Sequence, residues 1–206
     1  MATVGPTLGG GASALMSDSA LVYPYAYKEY EILDNGPLRF TVKMVYNPLT
    51  VGEDSAVVET RVISLDAGSY LNRTELTFDG LSKPAPIASG IVVHKQNPEG
   101  YVWNDASGFI AYADSTDNAR NNNGVIYLGA VVPGGYGSAR MLPMAEPVGD
   151  ALGHVIAESA YNPGDKYVYY WGSGWSKGGV DSYDDWTNSL ADYSARIASP
   201  LIITLE

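Results

Sequence analysis

Through most of the chain, apolar and polar residues alternate with a period of two, and this pattern limits the fold more than any other. In 38–46, Leu38, Phe40, Val42, Met44 and Tyr46 fall on one side of an extended segment, and Arg39, Thr41 and Lys43 on the other. Successive side chains of a strand point to opposite faces, so such a segment can bury one face and leave the other to water. Residues 57–65 repeat the pattern, with Val57, Glu59, Arg61 and Ile63 opposite Val58, Thr60 and Val62. In 71–78, Arg73 and Glu75 lie on one side, Leu76 and Phe78 on the other. Further strands are expected at 21–32, 87–95, 100–104, 109–114, 125–132, 153–161 and 165–171.

Turn signals separate these segments: Asn35-Gly36, Asp79-Gly80, Asn97-Pro98, Asn123-Gly124 and Pro163-Gly164. Asn-Gly and Asp-Gly accept the positive φ angles that tight hairpins require. Many strands joined this way predict an all-β chain, an antiparallel β-sandwich forming a single domain over residues 1–206. One segment departs from the pattern. Ser182-Tyr183-Asp184-Asp185 has the form of a capping box, and Trp186, Leu190 and Tyr193 follow at helical spacing until Pro200. One short C-terminal helix is therefore expected between Ser182 and Ala198, and a last strand at 201–205.

Charge narrows the partners. With 23 acidic and 12 basic residues the formal charge is −11, which repels nucleic acid and anionic membrane surfaces. No apolar run approaches the roughly 20 residues that span a bilayer. The chain has no cysteine, so disulfides and thiolate zinc sites are excluded. Residues 1–6 lack the basic and apolar regions of a signal peptide, so none is expected in this chain; the lack of cysteine suits a periplasm or a cytoplasm alike, and a parent protein that is periplasmic or secreted is the expectation. No cofactor and no metal are expected. Asp114-Ser115-Thr116-Asp117-Asn118 and 181–185 carry oxygen ligands that calcium could use, but neither follows EF-hand spacing.

Other motifs fail on context. Gly174-Trp175-Ser176-Lys177-Gly178 matches the G-x-S-x-G elbow of α/β-hydrolases, yet both histidines precede it and no alternating βα pattern surrounds it. Gly5–Gly11 lacks the Lys-Ser/Thr that grips phosphate, and reads as a flexible or tightly packed loop. Asn72-Arg73-Thr74 is formally a glycosylation sequon inside a strand.

Candidate functional residues remain. His94 and His154, the two histidines, are the catalytic candidates because imidazole suits proton transfer near neutral pH. His94 is preferred, since Lys95 and Gln96 add polar groups where its strand ends. Arg39, Lys43, Glu59, Arg61, Arg73 and Glu75 all lie in apparent strands. They form either a solvated face with cross-strand ion pairs or a polar sheet that grips an anionic sugar. Arg39, Arg61 and Arg73 offer planar forks to a carboxylate or sulfate. Sixteen Tyr and four Trp against three Phe favour rings with a polar handle, and Trp103, Trp171 and Trp175 are the candidate stacking platforms.

Two long stretches carry a resemblance. One runs from Tyr25-Ala26-Tyr27-Lys28-Glu29-Tyr30 through Gly36-Pro37-Leu38-Arg39 to Leu65-Asp66-Ala67-Gly68-Ser69-Tyr70-Leu71-Asn72. The other is Tyr169-Tyr170-Trp171-Gly172-Ser173-Gly174-Trp175-Ser176-Lys177-Gly178, followed by Trp186. Together they resemble the bacterial family called domain of unknown function 4861, found largely in polysaccharide-degrading Bacteroidetes. The resemblance implies half of a galactose-mutarotase-like supersandwich, the C-terminal part of a longer architecture. It also implies a setting among lyases and hydrolases that dismantle uronate-containing polysaccharides, with an oligosaccharide as partner. It transfers no catalytic motif.

Three readings follow. The first is acid–base lyase or dehydratase chemistry on an acidic oligosaccharide, with His94 or a Tyr as base and an arginine neutralising the carboxylate. The second is a non-catalytic carbohydrate-binding domain. The third is a structural half-domain that needs an N-terminal partner.

Overall fold

A computed structural model describes residues 6–115 and 121–201. The strands are β1 (Gly10–Ser17), β2 (Ala20–Val22), β3 (Tyr27–Asn35), β4 (Arg39–Tyr46), β5 (Leu49–Val51), β6 (Asp54–Asp66) and β7 (Leu71–Asp79). They continue with β8 (Ala85–His94), β9 (Tyr101–Asn104), β10 (Phe109–Ser115), β11 (Val125–Val131), β12 (Ser138–Pro143), β13 (Ala151–Tyr161) and β14 (Tyr167–Trp175), and helix α1 (Tyr183–Ala198) follows.

Every pairing among the described strands is antiparallel. A five-stranded sheet runs β12-β13-β8-β1-β2, and a nine-stranded sheet runs β3-β4-β6-β7-β14-β11-β10-β9, with β5 beside β6. The two sheets bury a shared apolar layer. Leu15, Ile87, Ile91 and Val155 come from the smaller sheet, and Val57, Leu76, Phe78, Ile110 and Tyr169 from the larger. The antiparallel sandwich expected from alternation is present, with its single C-terminal helix.

Alternation holds in β14. Tyr167 and Tyr169 point into the inter-sheet core, while Tyr170 packs with the second cluster, built around Trp186 and Leu190 of α1. The helix therefore forms a third layer on the outer face of the larger sheet. Ser182 caps it, its hydroxyl accepting from the Asp185 N–H at 3.0 Å. Two glycines let the helix sit close. A Cβ at Gly129 would meet the Leu190 side chain at 2.6 Å, and one at Gly174 would meet Val180 at 2.7 Å and Trp186 at 3.0 Å.

Several boundaries differ from expectation. The segment expected at 21–32 divides into β2 and β3 around Pro24, which has no N–H to donate to a ladder. The glycine-rich start leads into β1, where Gly11 lies against Trp171 with a Cβ position only 2.8 Å from that residue's Cβ. Strands β1, β5 and β12 were not expected, Gly10 and Gly11 belonging to β1 rather than to the loop read at 5–11, and β14 continues through Gly172 and Gly174 to Trp175. The strand expected at 201–205 and part of the acidic stretch 114–118 lie outside the described residues. Among the described residues, no helix is long and apolar enough to cross a membrane, and no group of three or more His, Cys, Asp or Glu could hold a metal ion.

Candidate functional site

The β6–β7 connection builds one wall of a groove. Asp66-Ala67-Gly68-Ser69 forms a tight turn, with the Ser69 N–H donating to the Asp66 carbonyl at 3.1 Å and Gly68 at φ +78°. That φ favours glycine. The Ala67 N–H donates to the Leu38 carbonyl at 2.9 Å, tying the turn to the start of β4. The Ser69 hydroxyl accepts from the Leu71 N–H at 3.1 Å and donates to the Leu71 carbonyl at 2.8 Å. Leu71 then enters the core beneath α1. The Leu65–Asn72 stretch thus has a physical reading, as a self-tied turn that places Asp66, Ser69 and Tyr70 at one rim.

Helix α1 supplies the opposite wall. A cavity of about 470 Å³ lies between the turn and the helix, lined by Asp66, Ser69, Tyr70, Trp186, Tyr193 and Arg196 among others. A second, of about 330 Å³, shares Asp66, Leu71 and Tyr193 with the first and adds Arg39, Ser64, Arg73 and Tyr170. The shared residues make them one groove. The strand register explains the company: Arg39 pairs with Asp66, Ser64 with Arg73, and Arg73 with Tyr170. Cross-strand partners share a face, so all lie on the helix side of the larger sheet.

Three of the five arginines among the described residues of this acidic chain line the groove. Arg39 is locked in a bidentate pair, donating from Nε and Nη2 to Asp66 at 2.5 and 2.9 Å. Those bonds hold the Asp66 carboxyl below the usual carboxylate range. Arg73 donates to Glu75 at 3.2 Å, and Lys166 reaches the other Glu75 oxygen at 2.8 Å. The Arg196 guanidinium lies over the Tyr193 ring at 5.5 Å. Tyr193 meets Tyr170 edge to face at 5.3 Å, and Tyr70 meets Trp186 likewise at 6.2 Å. Burial pushes the Tyr193 phenol up, with a hydrogen bond to Ser69 partly opposing it, so at neutral pH it is a neutral hydroxyl able to donate.

The other sequence candidates lie elsewhere. Arg61, read as a sugar-gripping cation, is inside the sandwich. It pairs with buried Glu59 at 2.6 Å, donates to the Ser13 carbonyl at 3.2 Å and lies over the Tyr46 ring. Burial opposes the Arg61 charge, but Glu59, with help from Tyr169 and Tyr46, outweighs it and raises the pKa. His154 is 1% exposed, and its Nε2 accepts from the Leu8 N–H at 3.1 Å. Burial, helped by the nearby His94, lowers its pKa to about 4. That is the environment of a neutral structural imidazole. His94 is partly buried at the end of β8, its Nδ1 3.1 Å from Asp114 Oδ1, and it does not line the groove.

Trp171 and Trp175 share a face of β14, but Trp171 packs against the inter-sheet core and donates to the Thr74 hydroxyl at 2.8 Å. Trp175 is 46% exposed at the strand end, its indole donating to the Asn123 carbonyl. Trp103, 42% exposed on edge strand β9, stacks on Tyr101 with ring centroids 6.1 Å apart. Ser176 accepts from the Val125 N–H at 2.8 Å in a turn that no helix immediately follows. Sequence reading found Arg39 and Arg73 but missed Tyr70, Tyr170 and Arg196 as lining. The spacing Tyr193 to Arg196 on one helix face was the signal available.

Comparison with known proteins gives one clear match. A family profile described as Domain of unknown function (DUF4861) matches residues 1–203. No curated protein matches the chain. Among solved structures, heparan sulfate lyase HepC from Pedobacter heparinus is similar at 8% identity and a TM-score of 0.48, over 79% of this chain and 24% of that one. A crystal structure of heparinase III is similar at 10% identity and a TM-score of 0.46, over 82% of this chain and 24% of that one. The chain therefore spans about a quarter of the length of these proteins, and the likeness is too low to carry anything further. The two stretches that resemble the family, far apart in sequence, meet at the groove: the first supplies Asp66 to Leu71, the second Tyr170 and the glycine that admits Trp186. The chain belongs to the DUF4861 family.

Proposed function

We propose that this is a carbohydrate-active protein of polysaccharide degradation, whose groove beneath α1 binds an acidic, uronate-containing oligosaccharide. The observation that carries this reading is the convergence of Arg39, Arg73 and Arg196 with Tyr70, Tyr170 and Tyr193 in one groove of a chain with formal charge −11. In such a chain a cationic groove is the place where an anion gains most, because the surrounding surface repels it. Arginine forks match carboxylate and sulfate geometry, and tyrosines offer ring faces to sugar C–H groups with hydroxyls at their tips. The setting implied by the family resemblance agrees.

Binding needs only the lining that the groove has. Elimination at a uronate also needs a base beside the acidic carbon, and neither histidine lines the groove. Isothermal titration with a tetrasaccharide of galacturonate tests the reading. Binding that Tyr193→Ala weakens about tenfold or more is expected, by analogy with the worth of a stacked ring. Absence of binding to any uronate oligosaccharide would refute it. The same mixture, followed by the ultraviolet absorbance of an unsaturated uronate, separates a binder from a lyase.

A further inference from the structure

The three arginines of the groove are not equivalent. Arg39 has both forks satisfied by Asp66, and turning it toward a ligand would leave that carboxylate without its partner. Arg196 is spent in part on its own helix, donating from Nε to the Asp192 carbonyl at 3.3 Å and covering the Tyr193 ring. Arg73 differs. Its contact with Glu75 is a single bond at 3.2 Å, and Lys166 holds the second oxygen of that carboxylate at 2.8 Å. The Arg73 side chain is 40% exposed and lines the groove between Ser64 and Tyr170.

We infer that Arg73 is the selectivity residue of the groove, held in reserve by Glu75 and able to turn to a sugar carboxylate or sulfate because Lys166 keeps Glu75 paired. The inference rests on the groove reading above and deepens it. When Arg73 swings away, Glu75 keeps its shorter ion pair, so no carboxylate is stranded. The exposed Arg73–Glu75 contact is itself weak, as ion pairs in water are. A ligand anion in the cavity that Arg73 lines with Tyr170 and Tyr193 is partly screened from water, where a charge-assisted bond is stronger. The order of influences on Glu75 agrees: the Lys166 hydrogen bond is the largest cause holding its carboxyl below the ordinary range, ahead of that from Arg73. Lys166 sits in the turn before β14, where Val168 pairs with Glu75, so the arrangement is fixed by the same register that forms the groove.

The test compares a galacturonate tetrasaccharide with a neutral cellotetraose by calorimetric titration of the full chain at low salt. The wild type is expected to prefer the uronate by about tenfold or more, equivalent to 1.4 kcal/mol. Arg73→Gln should abolish that preference, costing uronate affinity about tenfold more than neutral affinity, and Arg73→Lys should restore part of it. Two neighbours discriminate the reserve from a simple charge. Glu75→Gln should tighten uronate binding, by freeing Arg73. Lys166→Met should weaken it roughly two- to fivefold, the worth of an exposed pair, by leaving Arg73 bound to Glu75. An unchanged preference in Arg73→Gln, or an equal loss for both sugars, would overturn the inference while leaving the groove reading in place. Binding of neither sugar to the wild type would remove both.

Discussion

Acidification should weaken this fold through His154. The imidazole is buried beneath the N-terminal segment, and its Nε2 accepts the Leu8 N–H, so the folded state holds it neutral. Its folded pKa is about 4 against an ordinary 6.5. Above 6.5 the ring is neutral in both states and contributes no pH dependence. Between 6.5 and 4 the unfolded chain binds a proton that the folded chain refuses, so stability falls as pH falls, at up to about 1.4 kcal/mol per pH unit. Below about 4 both states are protonated and the loss levels off. Across the window the cost is about 3 kcal/mol, a large share of the roughly 5–15 kcal/mol that holds a typical domain together. Urea unfolding at closely spaced pH values, in the wild type and in His154→Gln, measures it. Glutamine keeps an acceptor for Leu8 but does not titrate, so the difference between the two proteins reports His154. The wild type should lose stability relative to the variant between pH 6.5 and 4. Parallel curves would show that His154 titrates alike in both states and that its burial carries no electrostatic cost.

Trp171→Ala should cost about 3–5 kcal/mol in chemical denaturation, as loss of a core aromatic does, whereas half-exposed Trp175→Ala should cost far less. Glu59→Gln strands the Arg61 charge inside the sandwich and should cost about 3–5 kcal/mol; a melting temperature within a degree of wild type would contradict the buried pair. Gly129→Ala should lift α1 from the sheet, because the new methyl overlaps Leu190, and near-ultraviolet circular dichroism of Trp186 should report it. Ser182→Ala should cost about 1 kcal/mol through the lost N-cap, read by thermal melting.

Much of the fold was legible because sheets write their burial into every second residue. The faces read for 57–65 and 71–78 are the faces the sheets use, and the capping box at Ser182 marks the first turn of α1; in 38–46 the apolar face stays partly open, with Leu38 and Phe40 exposed and Thr41 of the opposite face buried. Strand β1 was harder, because Gly10-Gly11-Ala12 carries no hydrophobic alternation; its backbone approaches Trp171 and Leu128 through the absence of side chains. Strands β5 and β12 are short or half-exposed, and their local pattern is correspondingly faint.

The site divides in the same way. Parity separates side chains within one strand, but Arg39, Arg61 and Arg73 lie on three strands, and only the register sets Arg61 on the face opposite the other two. The sequence by itself determined the strand segments and the helix with its cap, because each depends on neighbours a few residues apart, and the acidic charge, which is a count over the chain. Only the tertiary structure decided that the smaller sheet covers the Arg61 face and that α1 lies across the Arg73 face. It also brought Asp66 and Tyr70 opposite Tyr193 and Arg196, more than a hundred residues away in the chain. Those placements follow from which apolar surfaces bury each other, and burial is a property of the whole assembled chain.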